Sequence, residues 1–428
     1  MIGTKSVLTI GRKFILLMVI LMPIHNMVFA TLIHGTIDNI WRDVLLIICI
    51  AISLLANNGR FSLGKLGVPI LLSWIVCLIY MFSSDRPDVA ANLARTYIMP
   101  TIIYFIIINS GANNKYINLI ENIFVYVAVV LSIFGVFQAF VLGDSFLVKI
   151  GYGSLDGHLA SNSFYISHFY GIQRTASTFA SPNICGVYFG MAILILSTNF
   201  GKIKQSTLFM VILVLGLVTT FSRSAILGTV VALAVYHRRK LVRLRIKLRY
   251  VFILPIIIVI VILIDSIILN GLIANMIFSS FSSTAGMTDP SATKHVSDLW
   301  EPIEEILANP WGLGFGHNGP IVAGQYTDVN LVESSIYLLM YDFGILGGVI
   351  FLLPYLNGLF HALGRNNLIY KGGTICILVL FTYLLLPNVE TYELLFFTFL
   401  FIGMDEVRVS INKREKFFFN NNETKISD

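Results

Sequence analysis

Long apolar runs separated by short polar joints recur from Phe14 to Met404, and they constrain this chain more than any motif does. A helix needs about 20 residues to cross bilayer hydrocarbon, with a lower limit near 17 when tilt and neighbours help. By that rule the runs predict helices over 14–33, 41–57, 66–82, 93–109, 117–142, 176–198, 205–221, 223–237, 250–270, 331–360, 372–387 and 391–404. The expected fold is therefore an all-α polytopic membrane protein of about 12 transmembrane helices, a single integral domain over 1–428, with both ends on one side. Composition agrees: 56% of residues are apolar and only 12% are charged, against about 25% charged in soluble domains. Lys5, Arg12 and Lys13 before the first run resemble a secretory leader, but further spans follow at once, so an uncleaved first helix is expected. Cys49, Cys77, Cys185 and Cys376 all fall inside apolar runs, which suits small buried hydrophobes better than a disulfide framework.

Charge orients the bundle, because cytoplasmic loops retain Lys and Arg. With the N-terminus inside, 22 of the 29 basic residues lie in inner segments, including seven in HRRKLVRLRIKLR and five in the tail over 405–428. Arg42, Arg86, Arg95, Lys149, Arg174, Arg223 and Lys294 are the exceptions. Two outer segments are longer than a tight connection requires, 143–174 and 270–330. Loops of that length are usually functional or disordered, and their aromatics, glycines and apolar patches argue for order.

Within the second loop, Val296, Leu299, Trp300, Ile303, Ile306 and Leu307 recur at helical spacing, which predicts an amphipathic helix against the outer membrane face. Pro302 should bend it or start a shorter helix there. The following WGLGFGHNG satisfies GxGxxG through Gly314, Gly316 and Gly319, but it lacks the preceding strand and following helix of a dinucleotide site. A tightly approaching glycine loop is expected instead.

An arginine in mid-membrane costs roughly 3 kcal/mol or more. Arg223, between two apolar runs in TTFSRSAILG, escapes that cost because the topology puts Ser222 and Arg223 at the outer turn. Arg174 and Arg95 also sit at outer helix ends. One reading has each guanidinium snorkel to headgroups. The other gathers them into a cluster of forked donors for an anionic group such as a lipid-linked diphosphate. Pro182 and Asn183 should break or kink the start of the sixth helix and leave backbone groups free near Arg174 to hold phosphate.

SRSA (222–225), R-x-x-S-T-F-x-S-P-N (174–183), DLWEPIEEILANPWGLGFG (298–316) and VESSIYLLMYDFGILGG (332–348) follow one another in an order and spacing that resemble the bacterial O-antigen polymerase and ligase superfamily. The resemblance covers roughly 170–350, and the hydropathy profile extends it to the whole chain. It implies a GT-C-like, metal-independent glycosyltransferase with a long periplasmic loop between helices 9 and 10. Such an O-antigen polymerase moves a growing glycan from undecaprenyl diphosphate onto a new lipid-linked repeat unit on the periplasmic face of the bacterial inner membrane. Ligases of this kind usually carry a histidine followed by asparagine in the segment where this chain reads VESSIYLL; Glu333 occupies the corresponding place, so the resemblance favours polymerase over ligase. The implied partners are lipid-linked donor and acceptor, membrane lipid and a chain-length regulator, with no cofactor, metal or nucleic acid.

The resemblance and the residues together nominate Glu333, Arg223 and Arg174 as catalytic, and Arg95, Asn183, Ser222, His317 and Asn318 as substrate-binding. Glu333 would be a general base or a ligand to the acceptor hydroxyl, unless it is only a first-turn glutamate favoured by the helix dipole. His158 and His168 in the first outer loop could touch acceptor sugar, Asp342 reads as a structural acid facing the bundle, and Asp265 could pair with an arginine. Outer aromatics, Tyr152, Phe164 and Trp311 among them, suit stacking on sugars or an interfacial belt. A transporter or flippase, or a non-enzymatic partner of a polysaccharide assembly complex, would also be polytopic. Transporters often show internal repeats and midplane charges, and this sequence shows no convincing repeat between its halves.

Overall fold

The computed structural model describes residues 4–33, 36–155, 158–159, 162–166, 169–243, 302–319, 322, 332, 334–363, 371–386 and 391–426. Among these, nearly all regular structure is helical. The first helices are α1 (Thr4–Leu21), which continues through a 3-10 turn into a π turn ending at Ile33, α2 (Thr36–Ala56) and α3 (Gly67–Ser83). Next come α4 (Pro87–Ile98) and α5 (Ile102–Asn109), joined by a 3-10 turn at Pro100, and α6 (Asn114–Phe137), which ends in a π turn over Gln138–Leu142. After the short α7 (Asp144–Lys149) come α8 (Pro182–Thr198), α9 (Ser206–Thr219), α10 (Arg223–Arg243) and a helix over 302–308, α11. The last are α12 (Ser335–Leu363), α13 (Lys371–Leu385) and α14 (Tyr392–Ile426).

Among the described residues, four helical stretches are long and apolar enough to cross a membrane: Ser6–Ile24, Pro87–Asn109, Asn114–Leu142 and Ser335–Leu363. Shorter apolar helices accompany them, including α3, α8, α9 and α13. Large apolar side chains such as Ile47, Leu55, Phe82, Val130 and Phe140 point away from the core. Such a surface suits hydrocarbon, not water, and the chain is a helical membrane protein.

Helix boundaries follow local chemistry. The Asn113 side chain caps α6 by accepting the Tyr116 N–H at 2.9 Å. Ser181 caps α8 and Pro182 takes its first position. The helix expected to begin at 176 therefore begins at Pro182, and residues 174–181 are free to form a loop. Two further boundaries differ from the hydropathy reading: α10 runs on to Arg243, and the segment expected as a tail over 405–428 continues α14 to Ile426. The expected span over 250–270, with Asp265, lies outside the described residues.

α8 is the central helix. Every residue from Ile184 to Leu196 is buried, as expected of a helix apolar on all sides, and it packs against α6, α9, α10 and α13. Beside it, Phe124 meets Tyr188, Phe397 and Phe401 with ring centroids 4.9–5.0 Å apart. The helix ends sort into two groups. One end carries the start of α1 and the second half of α14: Arg12 binds the Ser110 carbonyl, Glu406 accepts the Lys65 N–H, and Ser197 meets His237. The opposite end carries the longer connections.

Two features there escape hydropathy. Between α7 and α8 two short antiparallel strand pairs, Ser154–Leu155 with His158–Leu159 and Tyr165–Ile166 with Phe169–Gln173, decorate the helical fold. And α12 is broken at Gly344, whose φ of 69° and ψ of 176° are far from helical. The glycine loop after Pro310 fills the break: Leu313 N–H donates to Tyr341 O at 2.7 Å, Gly314 N–H to Asp342 O at 3.1 Å, and Ile345 N–H to Pro310 O at 3.0 Å. Backbone groups freed inside a membrane protein need such partners.

Candidate functional site

Two strained segments meet at the loop-bearing end. Ser177, in the loop before α8, and Phe221, in the turn between α9 and α10, both adopt left-handed φ, at 52° and 50°. A non-glycine residue held there costs about 1–3 kcal/mol and persists only where its surroundings enforce it. The enforcement is visible: Thr175 N–H donates to Thr219 O at 3.0 Å, the Thr175 and Thr219 hydroxyls meet at 3.0 Å, and the Ser177 hydroxyl donates to Leu131 O at 2.8 Å. These contacts hold Arg174 and Arg223, one on each segment, at the same place.

Arg174 is half-buried. Its Nε donates to Thr220 O, Nη1 to Ser163 O and Nη2 to Asn183 Oδ1, each at 2.8 Å. A guanidinium has five N–H groups, so two remain beyond these bonds among the described residues. Burial, with a smaller contribution from the like charge of Arg223, pulls Arg174 down to about 10, which leaves it charged at neutral pH. Arg223 stands at the first position of α10 and is exposed. Ser222 is 2% exposed, and neither its hydroxyl nor that of Ser224 has a hydrogen-bond partner among the described residues. Asn183 thus touches Arg174 directly, while Ser222 faces Gly186 within the helix packing.

Arg95 belongs to another group. Its guanidinium pairs with Asp43 on α2, whose second carboxylate oxygen accepts the Tyr392 hydroxyl at 2.7 Å. Beside them Arg42 binds Glu393 at 2.8 Å and lies over the Tyr392 ring at 4.1 Å. The expected three-arginine cluster is therefore a pair, Arg174 with Arg223, and Arg95 joins α2 to α4. Asp43 and Glu393 carry no motif, and only the fold puts them opposite arginines.

The glycine loop behaves as its composition implies. Gly312, Gly314, Gly316 and Gly319 all take positive φ, and a methyl on Gly312 would run into the backbone of Gly344. Of the expected amphipathic helix, the described part, α11, covers 302–308, and Tyr341 donates its hydroxyl to Glu305; residues 296–301 lie outside the described residues. Asn318 is buried and donates from Nδ2 to Asp342 Oδ1 at 3.3 Å, an internal contact that removes it from an open substrate surface. Asp342 is 2% exposed, in keeping with a structural acid. His317 Nε2 lies 3.0 Å from Asp85 Oδ1. Glu333 and His168 lie outside the described residues; next to Glu333, Ser334 donates its hydroxyl to Tyr383 O at 3.1 Å.

In the first outer connection, Asp144 accepts the Tyr165 hydroxyl at 2.6 Å and meets His158 Nδ1 at 2.8 Å. Both bonds hold its carboxyl below the ordinary range. Tyr152 and Phe164 pack into a small apolar cluster with Leu147 and Leu159, which takes them away from sugar stacking. Trp311 is exposed. All four cysteines are buried and free.

No family model matches the chain, and no curated protein matches it. The fold defines a helical membrane protein, with Arg174 and Arg223 close enough at its loop-bearing end for each to feel the other's charge.

Proposed function

We propose that the chain is an O-antigen polymerase: a glycosyltransferase that moves a growing glycan from undecaprenyl diphosphate to a new lipid-linked repeat unit, at the periplasmic face of the bacterial inner membrane. The observation that carries it is the meeting of Arg174 and Arg223 on two strained, mutually bonded segments at the loop-bearing end. In such a transfer the bond from C1 to the phosphate oxygen breaks through an oxocarbenium-like state, and negative charge grows on the departing diphosphate. Fixed positive charge aimed at that point lowers the barrier. The two N–H groups of Arg174 left over from its contacts among the described residues, with the exposed Arg223 beside them, fit a phosphate oxygen pair. Among the described residues the partners of Arg174 are two carbonyls and an amide, none of which neutralises its charge.

The test is genetic. Deleting the gene in its host should leave surface glycan as one capped repeat unit. Complementation with Arg223→Ala or Arg174→Ala should accumulate lipid-linked single repeats at normal protein level. A normal glycan ladder from both variants would remove the proposed role, and loss of all capped glycan on deletion would point to a ligase.

A further inference from the structure

At the terminus-bearing end a cavity of about 40 Å³ opens between α12, α13, α14 and the turn before α3. That is room for about three water-sized groups. Gly358 and Gly373 bring no side chain to its lining, and its polar wall includes Lys65, His361, Asp405 and Glu406. Glu406 accepts the Lys65 backbone N–H at 2.7 Å and the Tyr104 hydroxyl, and Asp405 accepts the N–H groups of Lys371 and Gly373 at 3.1 and 3.2 Å. These donors are all neutral, and a carboxylate oxygen that takes one bond keeps room for another. Arg408, whose charge also reaches Asp405, is bound to Glu121 at 2.6 Å. Asp405 is buried and Glu406 half-buried, so negative charge lies deep in the cavity. At its rim the Lys65 ammonium is exposed and makes no hydrogen bond or ion pair among the described residues, and its charge reaches the His361 ring. Leu63 and Phe360, close to these two residues along the chain, are exposed large apolar side chains. In a membrane protein such a rim is covered by lipid.

We infer that this cavity holds the headgroup of a phospholipid that carries both a phosphate and a primary ammonium, the phosphoethanolamine type. The ammonium enters between Asp405 and Glu406, where its three N–H groups meet the spare carboxylate lone pairs, and the phosphate stays at the rim with Lys65. A choline headgroup has no N–H to donate and three methyl groups to fit into the inner space. A glycerol headgroup brings no cation to the carboxylates. The site does not depend on the polymerase reading.

The experiment places the full chain in nanodiscs of phosphatidylcholine with equal small fractions of phosphatidylethanolamine and phosphatidylglycerol, then counts the lipid retained in detergent by native mass spectrometry. Expected is phosphatidylethanolamine enriched about tenfold over its share of the disc, with a higher melting temperature in discs that contain it. Glu406→Gln keeps the shape, removes the charge and should abolish the enrichment. Lys65→Ala, at an exposed position, should lower the retention of phosphatidylethanolamine and serves as the test should Glu406→Gln not fold. Lipids retained in proportion to the disc, or an enrichment unchanged in both variants, overturns the site. Enrichment of phosphatidylglycerol instead overturns the ammonium pocket. Free O-phosphoethanolamine that raises the melting temperature in lipid-free detergent as much as the lipid does overturns a membrane lipid as the occupant.

Discussion

The two ends of the bundle treat charge in opposite ways. At the end bearing the termini, Glu121 is fully buried on α6, yet Lys371 Nζ and Arg408 Nη2 each reach it at 2.6 Å and Asn199 donates to it at 2.9 Å. Asp405 accepts the backbone N–H groups of Lys371 and Gly373, capping α13 from α14. Four helices are tied there by charges that answer one another. At the loop-bearing end the partners of Arg174 among the described residues are neutral acceptors, and it has a second cation for a neighbour. Arg95, at the same end, is answered by Asp43. A buried charge matched by its opposite holds helices together; a cation held by carbonyls keeps its field for something that arrives.

The contrast can be broken from either side. Glu121→Ala should have the largest effect, because it strands two cations in the interior. Losing one partner of a buried pair costs about 3–5 kcal/mol, so the melting temperature in detergent should fall sharply, and an unchanged value would dissolve the idea of a structural end. Arg174→Ala should cost polymerisation about 10²–10³-fold with a smaller loss of stability than Glu121→Ala. Equal stability losses in the two variants would make both ends architectural. Gly312→Ala tests the plug in the α12 break: left-handed φ alone costs about 1–3 kcal/mol, and a melt unchanged from wild type would mean the loop does not fill the break as described.

The smallest effect concerns pH. The Asp144 carboxyl sits below its ordinary 3.8 when folded, so its stabilisation of the hairpin segment is present above that value and is lost as pH falls through the folded value. Limited proteolysis over 144–165 should rise in that acid range for the wild type. In Asp144→Asn it should be raised already at neutral pH and rise no further there; equal pH profiles would exclude this pair as a fastener.

Much of the architecture was legible because hydrocarbon length and side-chain polarity are properties of contiguous sequence. The runs near 66–82, 205–221 and 372–387 match α3, α9 and α13 within a few residues. Where a local cap competes with apolarity, the runs mislead: Ser181 and Pro182 start α8 six residues late. Alternation of spans put Arg174 and Arg223 on one side, but not side by side. Their adjacency depends on the hydrogen bonds between Thr175 and Thr219, and the pairing of Arg95 with Asp43 joins positions 52 residues apart.

What sequence alone determined was the solvent each stretch requires, hence a helical bundle in lipid with its outer arginines near helix ends. Only the tertiary structure decided which arginines meet, which glycine breaks α12, and which carboxylate faces His317. Those outcomes depend on distances between segments far apart along the chain, and periodicity is blind to contacts made across such separations.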